Sequence, residues 1–267
     1  MKVYLSVFKI RFSAVIQYRA AALAGIATQF AWGFLEIFAF RTIYSGNESG
    51  FPMPFSQLSS YIWLQQAFLA LFMTWFYDRD ILDAISSGNI SYELSRPLDL
   101  YGRWFFQTAA NRVARALLRC APILVVAFFL PGPFRLSLPE NGVQALGFLV
   151  SLALGLGVVV AFGMLIYTLT FYTLSSTGLW AVFAMLADFM SGSVIPLPFF
   201  PSGIRKIAEL LPFASMQNLP LRIYVGNIAG SDMLIGLVLQ CFWLLSLVIF
   251  GRLIMRRALT KVTVHGG

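Results

Sequence analysis

SGSVIPLPFFPSGIRKIAELLPFASMQNLPLRIYVG, residues 191–226, is too interrupted by proline and glycine to form one membrane-spanning helix, and too apolar for an ordinary loop. Long apolar runs flank it on both sides. Backbone that is irregular at membrane depth persists only where protein or a water-filled cavity satisfies its N–H and C=O groups. The stretch therefore points to a membrane protein with a path through it more than to a passive anchor.

Composition agrees. Of 267 residues, 59% are hydrophobic and 11% charged, against about 25% charged in ordinary globular domains. Apolar runs fall at residues 20–40, 58–77, 113–130, 143–167, 179–194 and 233–255, each near the length of about 20 residues that a spanning helix needs. Six spans leave enough chain for connectors but not for a separate soluble domain. The expectation is an all-α integral membrane protein with a single domain over 1–267, comprising an interfacial helix at 1–19, a cytoplasmic loop at 78–103 and an outer segment at 192–226. The first apolar run follows a basic stretch and lacks a small-residue cleavage pattern, so it is expected to be a first span and not a cleaved leader.

Before that run, Lys2, Ser6, Lys9, Ser13 and Gln17 recur at spacings of three and four. They predict a basic amphipathic helix lying in the headgroup layer. Fourteen Lys and Arg residues fall on the side of the termini and of the 78–103 loop, against five on the other side. The positive-inside rule then predicts cytoplasmic termini and puts residues 192–226 outside. The net charge of +8 lies beside spans, which suits anionic lipid and not nucleic acid.

Little here can do covalent chemistry. Cys120 and Cys241 lie in apolar segments without CxxC spacing, and His265 is the single histidine. No metal cluster, cofactor or catalytic residue is expected. No GxxxxGK[ST] phosphate loop occurs, so ATP hydrolysis by that route would need another polypeptide.

Ionisable groups within spans are costly and raise a functional hypothesis. Glu36 either pairs with Arg41 at the outer interface or lines a substrate path. Asp188 either meets a cationic substrate or accepts hydrogen bonds from backbone freed near the broken segment. Arg112, Arg115 and Arg119 share one face and are expected to snorkel to lipid phosphates, with binding of an anionic substrate as the alternative. Gly147, Ser151 and Gly155 form a small-residue ridge that predicts close helix packing.

The most polar part of the chain is YDRDILDAISSGNISYELSRPLDLYGRWF, residues 77–105. Ile81, Leu82 and Ile85 recur at helical spacing, Ser87-Gly88-Asn89 ends that helix, and Arg96-Pro97 enforces an extended turn. A short helix held against the cytoplasmic face would offer a docking surface; an ordinary solvated loop is the alternative.

Within this loop, Ile85-x-x-Gly88-x-Ile90-x-x-x-Leu94-x-Arg96-Pro97-Leu98-Asp99-x-Tyr101 resembles the cytoplasmic segment of ABC-2 type transporter permeases, closest to viologen exporter-like permeases. Pro196-Leu197-x-Phe199-Phe200-Pro201, then Leu211-Pro212-Phe213 and Ile223-Tyr224-x-Gly226, resembles the outer re-entrant segment of the same family. The resemblance implies six transmembrane helices of the type V exporter kind in a bacterial inner membrane. It also implies a second permease subunit, alike or related, and two cytoplasmic ATPase subunits that hold ATP and magnesium. It makes Asp80, Ile81, Asp83, Ile85, Gly88, Glu93, Arg96 and Pro97 the coupling helix region. It makes Pro196, Phe199, Phe200, Pro201, Pro212, Phe213 and Tyr224 an outer gate. The implied function is export of a small amphipathic molecule, drug, peptide or lipid-like substrate. A stand-alone secondary transporter is the alternative, with Asp188 as its ion-coupling candidate; a membrane enzyme would need a polar catalytic cluster at one interface, for which the loop's acids are the one crowd available, without a metal-ligand spacing.

Overall fold

The computed structural model describes residues 2–17, 19–46, 50–87, 90–95, 97–173 and 176–260, with backbone alone for 19–24 and 176. Among these residues there are helices and turns and no strand. Helix α1 (Lys2–Ile16) precedes α2 (Arg19–Tyr44), α3 (Phe55–Ala67) and α4 (Leu69–Phe72). Two short helices follow, α5 (Arg79–Ser86) and α6 (Ile90–Leu94), before the long α7 (Leu100–Phe129) and α8 (Gly142–Thr170). Then come α9 (Ser176–Met190), the short α10 (Ser202–Leu210) and α11 (Asn218–Tyr224), and α12 (Gly230–Leu259).

Helices α8 and α12, of 29 and 30 residues, are long and apolar enough to cross a membrane. At 1.5 Å per residue each reaches about 44 Å, beyond the roughly 30 Å of a hydrocarbon core. Helix α8 is the central strut and buries much of its surface, while α12 turns Leu234, Val238, Leu245 and Ile249 outward. An apolar outer face of this kind suits lipid as solvent.

The predicted ridge is the seam between α8, α12 and the turn before α11. A Cβ on Gly147 would lie 2.5 Å from Met233 Sδ, and one on Gly155 would lie 2.5 Å from the Met216 carbonyl oxygen. Between them, Ser151 Oγ donates to Gln240 Oε1 at 2.9 Å. Gln240 Nε2 donates in turn to the carbonyls of Ser151 and Ser215, at 3.0 and 2.8 Å. Gly155→Ala drives a methyl into a backbone carbonyl and is expected to cost about 1–3 kcal/mol. Gly203→Ala, in open space on α10, is expected to cost nothing; thermal unfolding of the two variants in detergent compares them.

The predicted second span is corrected. It is not one helix from 58 to 77: α3 begins at Phe55, breaks at Phe68, resumes as the four-residue α4, and gives way to non-helical backbone over residues 73–78. Such backbone needs partners, because a helix end leaves its last carbonyls unpaired. Arg112 supplies them. It is 1% exposed; its Nη1 donates to the carbonyls of Leu71 and Met73 at 3.1 and 2.7 Å, and its Nη2 to that of Phe76 at 3.2 Å. The expectation that Arg112 snorkels to lipid is therefore overturned. Arg115 stacks its guanidinium 3.9 Å from the Phe76 ring centroid, and Arg119 packs its guanidinium against Gly25 of α2. The face that these three arginines share is turned into the protein.

The expected N-terminal helix forms as α1 and lies along the start of α7, where Tyr4 stacks on Phe106 at 5.6 Å. The 130–141 connection folds back on α3: Trp63 Nε1 donates to the Phe134 carbonyl at 2.8 Å and the Ser137 N–H to Ser60 Oγ at 2.9 Å. One apolar cluster gathers α2, α3, the later part of α7 and α11. A second gathers α5, the earlier part of α7, α8 and α9.

Candidate functional site: a cavity and the helix tied to its wall

A cavity of about 700 Å³ lies between α2, α3–α4, the end of α9 and the segment that follows α9. Its walls hold Glu36 from α2, Gln65 and Gln66 from α3, Asp188 from α9 and Gln217 from the turn before α11. Both carboxylates singled out by sequence thus face one space. Positions five apart on a helix stand about 140° apart in azimuth, which takes Glu36 away from Arg41. Arg41 instead places its guanidinium 5.2 Å from the Phe55 ring centroid.

Much of the lining polarity is unspent. Glu36 Oε1, Gln65 Oε1 and Gln217 Nε2 are buried and have no hydrogen-bond partner. Each orphan in an apolar interior costs about 1–3 kcal/mol, a cost that a polar guest or water removes. Trp32, Phe40, Trp75 and Phe199 supply aromatic wall. The chemistry suits an amphipathic guest that brings an apolar body and hydrogen-bond donors.

Below the cavity, the 73–78 loop leads from its wall to α5. Thr74 Oγ1 lies 2.6 Å from Asp188 Oδ1 and 3.1 Å from the Ala184 carbonyl oxygen, and Trp180 Nε1 donates to the Thr74 carbonyl at 3.0 Å. Asp188 thus accepts from the 73–78 loop while also lining the cavity. At the far end of the loop, Asp78 is buried. Its Oδ1 caps α5 by accepting from the Asp80 N–H at 3.1 Å, and its Oδ2 accepts from Gln107 and Asn111 of α7, each at 2.9 Å. The Asp78 N–H donates to the Tyr167 hydroxyl of α8 at 2.6 Å. Helix α5 is thereby fastened to α7 and α8 through its first turn.

The sequence-predicted coupling residues divide by side. Ile81 is buried and Ile85 half-buried, so both anchor α5, while Asp80 and Asp83 face outward. Asp80 accepts from Arg11 of α1 at 3.3 Å. Glu93 is ion-paired with Arg103 and accepts from Trp104 Nε1 at 3.4 Å, which ties α6 to α7. Pro97 is exposed. Gly88 and Arg96 lie outside the described residues.

The outer-gate candidates do not form one cluster. Phe199 lines the cavity and meets Phe40 at 5.2 Å, Phe200 meets Phe189 at 5.2 Å, Phe213 meets Phe162 of α8 at 5.4 Å, and Tyr224 meets Phe148 at 5.0 Å. Pro196 and Pro212 are buried, while Pro201 is exposed at the start of α10. Arg222 knits the segment by donating to Glu209 Oε1 at 2.5 Å and to Asn227 Oδ1 at 2.7 Å. Gly226, at φ +78°, makes the turn out of it, a conformation that costs glycine little.

Sequence reasoning missed Thr74, Asp78, Gln65 and Gln217 as site residues. An aspartate one position before a helical pattern is an N-cap signal and points to Asp78. Nothing in the sequence marks the other three.

A family model described as ABC-2 family transporter protein matches residues 30–266. No curated protein matches the chain.

Proposed function

The chain belongs to the ABC-2 family of transporter proteins, and from that membership we propose that it is the permease subunit of an ATP-driven exporter of a small amphipathic molecule. In this reading α2, α3–α4, α7, α8, α9 and α12 are the six spans, with both termini in the cytoplasm of a bacterial inner membrane. Two ATPase subunits carry ATP and magnesium, and a second permease subunit, identical or related, completes the path. Residues 192–226 close its outer end.

The observation that carries the reading is the mounting of α5. A helix of eight residues projects Asp80 and Asp83 outward, while its first turn is bonded to α7 and α8 through Asp78. A docking element must be both exposed and stiffly connected to the part it moves, because a partner can shift an equilibrium only through differential contacts with the two states. Reversing charge at Asp80 and Asp83 together is expected to weaken co-purification of the ATPase about tenfold, while loss of the exposed Asp80–Arg11 pair costs no more than about 1 kcal/mol of stability. Unaltered recovery of the ATPase would remove α5 as the docking helix.

Glu36 and Asp188 in one cavity favour a second reading, an ion-coupled carrier working alone. Proteoliposomes separate the two. Uptake that needs ATP and the ATPase supports the permease, and uptake driven by an ion gradient without any ATPase supports the carrier.

A further inference from the structure

The polar contacts around residues 71–78 tie the loop to α7 and α8 on one side and to α9 on the other. Arg112 grips the carbonyls of Leu71, Met73 and Phe76 from α7, and Asp78 binds Gln107 and Asn111 of the same helix. With the Asp78 N–H bound to Tyr167 of α8, the loop, α5 and these parts of α7 and α8 are cross-linked into one unit. Helix α9 belongs to the cavity wall, and among the described residues its polar contacts with the loop run through Thr74, beside the ring packing of Tyr77 on Trp180.

We propose that Thr74 is the positioning residue that carries motion of α5 to the cavity, by handing its hydroxyl hydrogen between Asp188 and the Ala184 carbonyl. The proposal rests on the permease reading above. A threonine hydroxyl has one hydrogen to donate, and here two acceptors compete for it, at 2.6 and 3.1 Å. The shorter bond, to a carboxylate oxygen, is the stronger while the loop stands where it does. When α5 is displaced, the loop moves with it and draws the hydroxyl from Asp188 Oδ1 towards Ala184 O. Asp188 is then free to turn towards a guest in the cavity. By reciprocity, a guest that takes Asp188 releases the hydroxyl and loosens α5 from α9. The link thus has two discrete arrangements, which physical coupling between sites requires.

The test uses the complex with its ATPase in lipid nanodiscs. Cys120 and Cys241 are replaced, and a thiol is introduced by Val194→Cys at an exposed position on the cavity wall. The rate of maleimide labelling is read without nucleotide and with ATP plus orthovanadate. In the Thr74 background the two rates differ by about fivefold or more. In Thr74→Val, which keeps the shape and removes the donor, the difference falls below about twofold, whereas Thr74→Ser restores it. Asp188→Ala removes the acceptor from the other side of the same bond and gives the same loss, which covers the case that Thr74→Val fails to assemble. A purely structural hydroxyl would leave the nucleotide response intact in assembled Thr74→Val complex, and that result overturns the link alone. If the Thr74 background itself shows no nucleotide response, the ATP-driven reading falls and the link falls with it.

Discussion

Replacing Arg112 by leucine is expected to cost about 3 kcal/mol or more and to leave little folded protein in a detergent thermal-stability assay. The reason is the backbone it serves. Helix α4 ends at Phe72, and non-helical backbone runs from there to Asp78, so the carbonyls of Leu71, Met73 and Phe76 depend on the guanidinium. Leucine fills comparable space but leaves these acceptors stranded away from water, and a stranded polar group bears its full desolvation penalty. Lysine does not rescue. Two separate nitrogens of the planar fork are in use, one for Leu71 and Met73 and the other for Phe76. A single ammonium on a flexible stem lacks that geometry. Arg112→Lys is therefore expected to fall much nearer to leucine than to the parent, and a lysine variant as stable as the parent would contradict the capping role.

Asp78→Ala is expected to destabilise by about 3 kcal/mol, combining a lost helix cap of about 1 kcal/mol with two buried amide donors left without an acceptor. Asparagine is not a neutral substitute. The two carboxylate oxygens divide their work, Oδ1 holding the Asp80 N–H and Oδ2 holding Gln107 and Asn111. Asparagine offers one acceptor oxygen; it can cap α5 or bind the α7 amides, and its own NH₂ group then faces other donors. Hydrogen exchange over residues 79–86 separates this local effect from general loosening. In Asp78→Asn the α5 amides exchange faster while those of α8 and α12 keep their protection. Unchanged exchange over α5 would show that its mounting does not depend on Asp78.

Much of the architecture was legible because a bilayer permits so few backbones. The apolar runs correspond to α2, α3–α4, α7, α8, α9 and α12, and the broken stretch at 191–226 resolves into a 3-10 turn, α10 and α11. The ridge Gly147-Ser151-Gly155 was legible too, since close approach needs small residues at that spacing. What stayed hidden was the end of the predicted second span. LFMTWFYD, residues 71–78, holds no proline or glycine to mark a break; the helix stops there because a buried arginine forty residues away in sequence takes its carbonyls. Periodicity places Arg112, Arg115 and Arg119 on one face but says nothing of whether that face meets lipid or protein. The same holds for Glu36. Its neighbour in sequence suggested a salt bridge, whereas helix azimuth turns it away from Arg41 and into a cavity that Gln65, Gln66 and Gln217 also line, residues that only the folded chain brings together.

Site-specific photo-crosslinking to the ATPase in intact cells tests the central claim most directly, with the crosslinker placed at Asp83 on α5, at Ser87 just beyond it, and at the exposed Ile207 of α10. The permease account, which puts Ile207 on the outer side of the membrane, predicts crosslinks to the ATPase from Asp83 and Ser87 and none from Ile207. Crosslinks from Ile207, or silence from both Asp83 and Ser87 while the ATPase still co-purifies, would contradict it.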